Sequence, residues 1–130
     1  MTEIIVRVEN RPGRLAAITE ILGGAGVNIE ALAAYGQDGQ GVLRLIVDDA
    51  RTARRVLSEA GLRISENTVL TARLRNEPGA LAAVTRRLAD ADVNIEALYV
   101  LATSPDGIEV AMALDGDLSA VPSLPVHGNL

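Results

Sequence analysis

Residues 10–32 read NRPGRLAAITEILGGAGVNIEAL, and residues 76–98 read NEPGALAAVTRRLADADVNIEAL. The two stretches align without a gap at an offset of 66 residues (76 − 10), and 15 of the 23 aligned residues are identical. Agreement of this extent does not arise by chance. The sequence therefore predicts two copies of one structural unit, so that each inference about one copy can be checked at the equivalent position of the other.

Hydrophobic periodicity predicts the order β-α-β-β-α-β for the first copy. Apolar alternation marks strands at residues 4–8, 27–35, 42–47 and 62–65, and helical spacing marks helices after Pro12-Gly13 and at 50–60. In the first helix the inward stripe is predicted to be Leu15, Ile18, Leu22 and Ala25. The fold class predicted is therefore α+β and ferredoxin-like, with antiparallel sheets and helices on one face.

The second copy repeats these elements but is predicted to be truncated at its C-terminal end. Its third strand covers residues 108–114, and the alternation there fits an offset of 65 better than 66. Pro122 and Pro125 exclude a normal helix at the place where the second helix is expected. We therefore predict a first unit at 1–66, an incomplete second unit at 67–115 and an irregular tail at 116–130.

Composition limits the function classes that this chain can belong to. Hydrophobic residues make up 48% of it, yet it has no Phe, Trp or Cys, so the core is aliphatic and thiolate metal sites and disulfides are excluded. A net charge of −5 with interspersed signs and few aromatics argues against nucleic-acid binding. Neither a leader nor a membrane-length apolar run is evident, so we expect a soluble cytoplasmic protein without a membrane partner.

The turn between the first strand and the first helix has the composition of an anion-binding site. Pro12 and its counterpart Pro78 are predicted to lie in a first helical turn, where proline's missing N–H costs no hydrogen bond. The N–H groups of Gly13, Arg14 and Leu15 would then be available to a carboxylate at the positive end of the helix. Asn10 could bind the same ligand. In the alternative interpretation, Asn10 only caps the helix and Gly13 only permits the turn.

The motif Asn-x-Pro-Gly-x-Leu, followed by an amphipathic helix and Val-Asn-Ile, resembles the ACT domain, and it occurs here twice. The resemblance extends to about Leu114, and it is closest to stand-alone tandem ACT proteins without a catalytic domain. It implies a βαββαβ module that binds amino acids. It also implies that paired modules hold a small effector at the seam between them.

The resemblance assigns a role to four asparagines. In serine-sensing relatives the motif Asn binds the effector, and it matches Asn10 and Asn76, while the Asn of Val-Asn-Ile matches Asn28 and Asn94. Those relatives place a His two residues before the motif Asn, where this chain has a valine and a leucine, which argues against a serine-type clamp. The predicted ligand-binding residues are Asn10, Pro12, Gly13, Arg14, Leu15, Asn28, Asn76, Pro78, Gly79, Ala80, Leu81 and Asn94.

The sequence contains no constellation typical of an enzyme, and we expect neither a metal nor a cofactor. It predicts a non-enzymatic regulatory or sensor protein that binds a free amino acid or similar small carboxylate at the seam between its units. We also expect a homodimer or larger homo-oligomer and a regulated protein partner. The alternatives are a structural or assembly module, a transcription-regulating partner protein without a metabolite ligand and, less favoured, a small enzyme.

Overall fold

The structure, a computed structural model, describes residues 1–120. Its elements in chain order are β1 (Thr2–Glu9), α1 (Arg14–Gly24), β2 (Ile29–Gln37), β3 (Gln40–Val47), α2 (Ala50–Glu59), β4 (Arg63–Leu74), α3 (Ala80–Asp90), β5 (Asn94–Ser104), β6 (Gly107–Asp115) and a 3₁₀ turn at Leu118–Ala120. The α+β, ferredoxin-like class predicted from the sequence is confirmed. Pro122 and Pro125, and with them most of the predicted tail, lie outside the described residues.

The chain divides into one compact unit at Thr2–Asn67 and a second that begins at Thr68 and includes Met1. The strand β4 runs through this division. The sequence predicts a short strand ending at Ser65 and a separate strand from Leu70, but the structure has one strand of 12 residues. Residues 66–69 continue the strand because they contain neither glycine nor proline to interrupt it.

In the first unit, β3 lies between β2 and β1 and pairs antiparallel with both. The helices α1 and α2 contact each other, and both contribute to the core over one face of these strands. The buried core residues are Ile4, Val6, Val8, Ile18, Leu22, Val27, Leu43, Leu45, Val47, Ala53 and Leu57. The first unit therefore has its helices on one face of an antiparallel sheet, as predicted.

Over its described residues, 68–120, the second unit repeats this arrangement with one α-helix fewer. The strand β6 lies between β4 and β5 and pairs antiparallel with both. The helix α3 contributes Val84 and Leu88 to a core that also contains Ala72, Leu74, Val93, Val110 and Met112. Within residues 68–120 no α-helix follows β6, so this part of the chain has no counterpart of α2.

The register of the third strand shows how the second copy changed length. Leu45 is opposite Ile4 and Leu32, and Met112 is opposite Leu70 and Leu98, so the third strands differ by 67 residues (112 − 45). The predicted offset of 65 is therefore wrong, although its parity is right. One extra residue, Leu101, is accommodated as a β-bulge between Val100 and Ala102. Side chains alternate with a period of two, so the pattern distinguishes odd from even offsets but not 65 from 67.

Candidate ligand-binding site

The two strand-to-helix turns have the same backbone geometry. Gly13 precedes α1 with φ 90° and ψ −11°, and Gly79 precedes α3 with φ 87° and ψ −12°. These left-handed values favour glycine, which explains why the motif carries it in both copies. Each glycine is the N-cap of its helix, and no side chain caps either one. Asn10 is therefore not a helix cap.

The helices begin later than predicted. Arg14 and Ala80 are the first helical residues, so Pro12 and Pro78 precede the helices and are not in their first turns. The first intrahelical bonds are donated by Ala17 to the Gly13 oxygen and by Ala83 to the Gly79 oxygen, both at 3.0 Å. The Arg14 N–H contacts the Arg11 oxygen at 3.4 Å. The backbone N–H groups without an intrahelical acceptor therefore include those of Leu15 and Ala16. The predicted set of N–H groups ended one residue earlier, at Leu15.

The start of α1 is electropositive. Neither α1 nor α3 has an acidic residue in its first turn, so no side chain offsets the partial positive charge of the helix N-terminus. In the preceding turn, Arg11 forms an ion pair with Glu9 at 3.2 Å, between two exposed side chains. Arg14 forms no ion pair within the described residues. An anion bound here would therefore meet one uncompensated guanidinium.

The amide of Asn10 lies above a pair of glycines. Gly36 and Gly41 are opposite each other on β2 and β3. A Cβ built on Gly36 would lie 2.7 Å from the Asn10 Nδ2 atom, and one on Gly41 would lie 3.3 Å from the Val8 Cγ2 atom. Real Cβ atoms do not approach a neighbour as closely as 2.7 Å, whereas a contact of 3.3 Å is tight but needs Val8 to shift by only a few tenths of an ångström. Asn10 therefore lies where it does because Gly36 has no side chain.

A cleft of about 300 Å³ opens beside this glycine pair, and it lies wholly within the first unit. It is lined by Val8, Glu9, Asn10, Arg11, Arg14, Leu15, Ala34, Tyr35, Gly36, Gly41, Val42 and Leu43. Of the predicted site residues, the structure brings together Asn10, Arg14 and Leu15. Leu15 is 41% exposed and so does not join the buried stripe that its spacing predicts. The equivalent Leu81 is 37% exposed.

Arg14 is the most unusual polar side chain of this cleft. Its Nε atom is shielded from solvent and has no hydrogen-bond partner within the described residues. A buried donor without an acceptor costs on the order of 1–3 kcal/mol, and more when the group is charged. A bound carboxylate would supply the missing acceptor.

The turn of the second unit is closed where the first is open. The Asn76 Nδ2 atom donates a hydrogen bond of 2.9 Å to the Ser104 oxygen, so this amide holds the turn against the β5–β6 hairpin. The residues opposite each other at the position of the glycine pair are Thr103 and Ile108. Ala80 stands at the position of Arg14. The second turn therefore lacks the glycine pair and the arginine that line the cleft of the first.

Asn28 and Asn94 lie at the other end of their units from the strand-to-helix turns. In the first unit β2 runs from Asn28 to the end of the sheet where the turn lies, and in the second unit β5 does the same from Asn94. The Asn28 N–H donates to the Asp48 Oδ1 atom at 2.9 Å, and the Asp48 N–H donates to the Asn28 oxygen at 3.1 Å. The Asn94 side chain donates to the Glu96 carboxylate at 3.0 Å. Within one unit, neither asparagine reaches the turn. Their predicted role as ligand-binding residues stays a prediction.

The first unit contains a buried polar cluster that was not predicted from the sequence. Glu3 is fully buried on β1, and its carboxylate accepts two hydrogen bonds from Arg44 at 3.0 and 3.1 Å and one from Asn67 at 2.9 Å. The Arg44 Nε atom donates to the Tyr35 hydroxyl at 3.3 Å. Burial disfavours the charged guanidinium, but the Tyr35 hydrogen bond and the charge of Glu3 outweigh it, and the pKa of Arg44 lies above its ordinary value.

This cluster leaves a weak signal in the sequence. The positions equivalent to Glu3 and Arg44 are Val69 and Ala111, which are fully buried and apolar. Where one copy has a charged residue and the equivalent residue of the other copy is apolar, the position is expected to be buried in both copies. Comparing the two copies residue by residue could therefore have found Glu3.

Taken together, the fold and the repeated turn define a pair of ferredoxin-like modules, one of which carries an electropositive cleft. The chain belongs to the ACT domain pair family, whose model matches residues 1–119. No curated protein sequence matches it. The match indicates no catalytic family.

Solved structures share this fold. A crystal structure of a protein from Bacteroides thetaiotaomicron has 28% sequence identity and a TM-score of 0.81, with 92% of this chain and 83% of that chain covered. The ligand-free regulatory subunit of aspartate kinase from Thermus thermophilus has 19% identity and a TM-score of 0.65, with 86% and 82% covered. The corresponding subunit from Thermus flavus has 20% identity and a TM-score of 0.60, with 85% and 81% covered.

Within residues 1–120, no group of three or more histidine, cysteine, aspartate or glutamate side chains is arranged to hold a metal ion. No helix in the same residues combines the length and the apolar composition needed to span a bilayer.

Proposed function

We propose that this chain is a regulatory protein that binds a free amino acid, or a similar small carboxylate, in the cleft of its first unit. Membership of the ACT domain pair family supports the regulatory class. The observation that carries the ligand class is the shielded, unpartnered Nε atom of Arg14 beside the positive end of α1. Both features favour a carboxylate.

The size of the cleft favours a small ligand. A volume of about 300 Å³ is at the lower end of the range for small-molecule sites, which suits an amino acid better than a nucleotide. The carboxylate would lie against Arg14 and the N–H groups of Leu15 and Ala16. The Asn10 amide oxygen would be free to accept a hydrogen bond from the ligand's ammonium group. In this proposal the ligand changes the protein's affinity for a regulated partner by stabilising one of its conformations.

Calorimetric titration with each of the twenty amino acids tests this proposal. We expect at least one of them to bind to the parent protein. Asn10→Ala removes a hydrogen bond to a charged group, worth about 1.5–3 kcal/mol, and should weaken binding roughly ten- to hundredfold. Arg14→Ala should weaken binding at least as much.

Asn76→Ala is the matched control because it changes the equivalent residue of the closed turn. It should leave the affinity of the first cleft unchanged and lower the free energy of unfolding by about 1 kcal/mol, the value of the lost bond to Ser104. If no amino acid binds to the parent protein, the structural or assembly role is the better description. If binding survives both Asn10→Ala and Arg14→Ala, the cleft is not the site.

A further inference from the structure

The floor of the first cleft is apolar, and the register of its strands shows how it is arranged. Gly36 and Gly41 are opposite each other near the β2–β3 hairpin, and Val8 of β1 is opposite Gly41. The next pair on the same face is Ala34 and Leu43, about 7 Å further along the strands. All five residues line the cleft. The floor is therefore glycine at one end and aliphatic at the other.

A large aliphatic side chain lines the same cleft from the first turn of α1. This residue is Leu15, which is 41% exposed, and Ala34 on the floor is exposed as well. Removing apolar surface from water is favourable roughly in proportion to its area. An aliphatic group placed in the cleft would therefore cover surface that water now contacts.

Two polar residues of the strands also line the cleft, but their side chains belong to the other face of the sheet. Tyr35 follows Ala34 in β2, and Glu9 follows Val8 in β1, and successive side chains of a strand point to opposite faces. The Tyr35 hydroxyl accepts a hydrogen bond of 3.3 Å from the Arg44 Nε atom. Neither polar side chain is therefore directed at the aliphatic floor.

The remaining polar side chains that line the cleft already have roles. Arg11 forms its ion pair with Glu9 at 3.2 Å. In the proposed function, Arg14 binds the carboxylate of the ligand and Asn10 binds its ammonium group. Among the described residues that line the cleft, this leaves no polar side chain to bind a polar group on the side chain of the ligand.

The second copy has a larger residue at one position of this floor. Val100 is the counterpart of Ala34, and it is opposite Val110 as Ala34 is opposite Leu43. The valine adds two methyl groups at this point of the sheet. Ala34 therefore leaves space on the floor of the first cleft that its counterpart in the second unit fills.

We propose that the first cleft selects amino acids with an aliphatic side chain, and that Ala34 and Leu15 determine this selectivity. The selectivity rests on the proposed binding of an amino acid in this cleft. With the ligand's carboxylate at Arg14 and its ammonium group at Asn10, its side chain lies over Ala34 and Leu43 and against Leu15. A hydroxyl, amide or charged group in that place would lose its hydrogen bonds to water without replacement.

Matched pairs of ligands test the selectivity by calorimetric titration of the parent protein. From alanine to 2-aminobutyrate to norvaline, we expect the affinity to rise about fourfold for each methylene that is buried. Leucine and asparagine have side chains of similar size and shape, and leucine should bind at least about tenfold more tightly. For the same reason, 2-aminobutyrate should bind more tightly than serine.

Two variants locate the selectivity. Ala34→Val copies the second unit and should weaken the binding of leucine at least about tenfold, while the affinity for alanine changes less than about twofold. Leu15→Ser removes the aliphatic wall and should weaken leucine more than alanine. Val100→Ala makes the reverse change at the equivalent position and should leave both affinities unchanged. Ala34 and Leu15 are exposed, so both variants should fold, which circular dichroism checks.

The outcomes separate this selectivity from the proposed function. If amino acids bind to the parent protein but asparagine binds as tightly as leucine, the aliphatic selectivity is wrong and the amino-acid site stands. If Ala34→Val weakens alanine and leucine equally, Ala34 does not contact the ligand's side chain and does not determine selectivity. If no amino acid binds to the parent protein, the proposed function fails and the selectivity fails with it.

Discussion

At the scale of single residues, the open cleft depends on Gly36. A Cβ there would lie 2.7 Å from the Asn10 Nδ2 atom, so Gly36→Ala should displace the Asn10 side chain. Because that side chain is exposed and can rotate, we expect the free energy of unfolding to change by less than about 1 kcal/mol. The affinity for the amino acid should fall at least about tenfold, as for Asn10→Ala. Calorimetry and urea unfolding measure the two effects separately.

Gly23→Ala is the control for this prediction. Gly23 lies in α1, and a Cβ added there would have no atom within 4 Å. The substitution should stabilise the protein by about 0.5–1 kcal/mol, because alanine loses less conformational entropy in a helix than glycine does. It should not affect ligand binding. If Gly36→Ala binds like the parent protein, the position of the Asn10 amide is unimportant for the ligand.

The buried ion pair gives a second prediction at this scale. Glu3→Val leaves Arg44 without its carboxylate and should lower the free energy of unfolding by about 3–5 kcal/mol. The double change Glu3→Val with Arg44→Ala copies Val69 and Ala111 of the second unit, and it should cost less than Glu3→Val alone. The reason is that the uncompensated charge is gone, although a cavity remains. Urea unfolding of the three proteins checks this order, and a double variant less stable than Glu3→Val would contradict it.

At the scale of an element, the start of α2 should show a pH dependence. The Asp49 carboxylate accepts hydrogen bonds from the Thr52 hydroxyl at 2.6 Å and from the Thr52 N–H at 3.0 Å. These bonds lower the pKa of Asp49 below its ordinary 3.8. Its contribution to stability is therefore present above that value and is lost as the pH falls through the lower pKa of the folded state.

Asp49→Asn tests this dependence, because its amide oxygen can accept the Thr52 N–H bond at every pH, although its NH2 group cannot accept the bond from the Thr52 hydroxyl. Between neutral pH and about pH 2.5, the urea midpoint of the parent protein should fall further than that of the variant. Asp106→Asn also removes one carboxylate, but from a hairpin turn, and serves as the control. Parallel pH profiles for the parent protein and Asp49→Asn would show that the cap does not titrate as described.

Most of the helices and paired strands could be predicted from the sequence, because their apolar periodicity is regular and, except for α2, recurs in the second copy. The start of α1 was misplaced because the prediction relied on Pro12, whereas the left-handed backbone of Gly13 sets the boundary. The open and closed turns could not be told apart. That difference depends on which residues of β2 and β3 are opposite each other, and alternation alone does not fix this register.

At the scale of the whole molecule, the predicted homo-oligomer has not been tested, and the exposed apolar side chains give it a location. Leu32 on β2 is 41% exposed and Val100 on β5 is 56% exposed, and each strand pairs with one neighbour in its own unit. Unpaired strand edges with apolar side chains favour association. Sedimentation should give a mass of at least twice the 13.6 kDa of one chain.

Leu32→Glu should shift that equilibrium towards the monomer, because it introduces a charge into an apolar contact. Leu118→Glu changes an exposed leucine outside the sheets and should leave the mass unchanged. A parent protein that sediments near 13.6 kDa at high micromolar concentration would exclude the oligomer.

The partners of Glu3 also constrain the order in which the nascent chain can fold. Its carboxylate is bound by residues 41 and 64 positions further along, so a ribosome must release about 67 residues before both are available. Until then, docking β1 into the core would bury a carboxylate with an incomplete set of donors, which is unfavourable. The first unit should therefore fold late during synthesis, as one cooperative step. The equivalent residue of the second unit, Val69, is apolar and needs no hydrogen-bond donors before it is buried. The two copies are therefore expected to differ in their folding kinetics as well as in their sites.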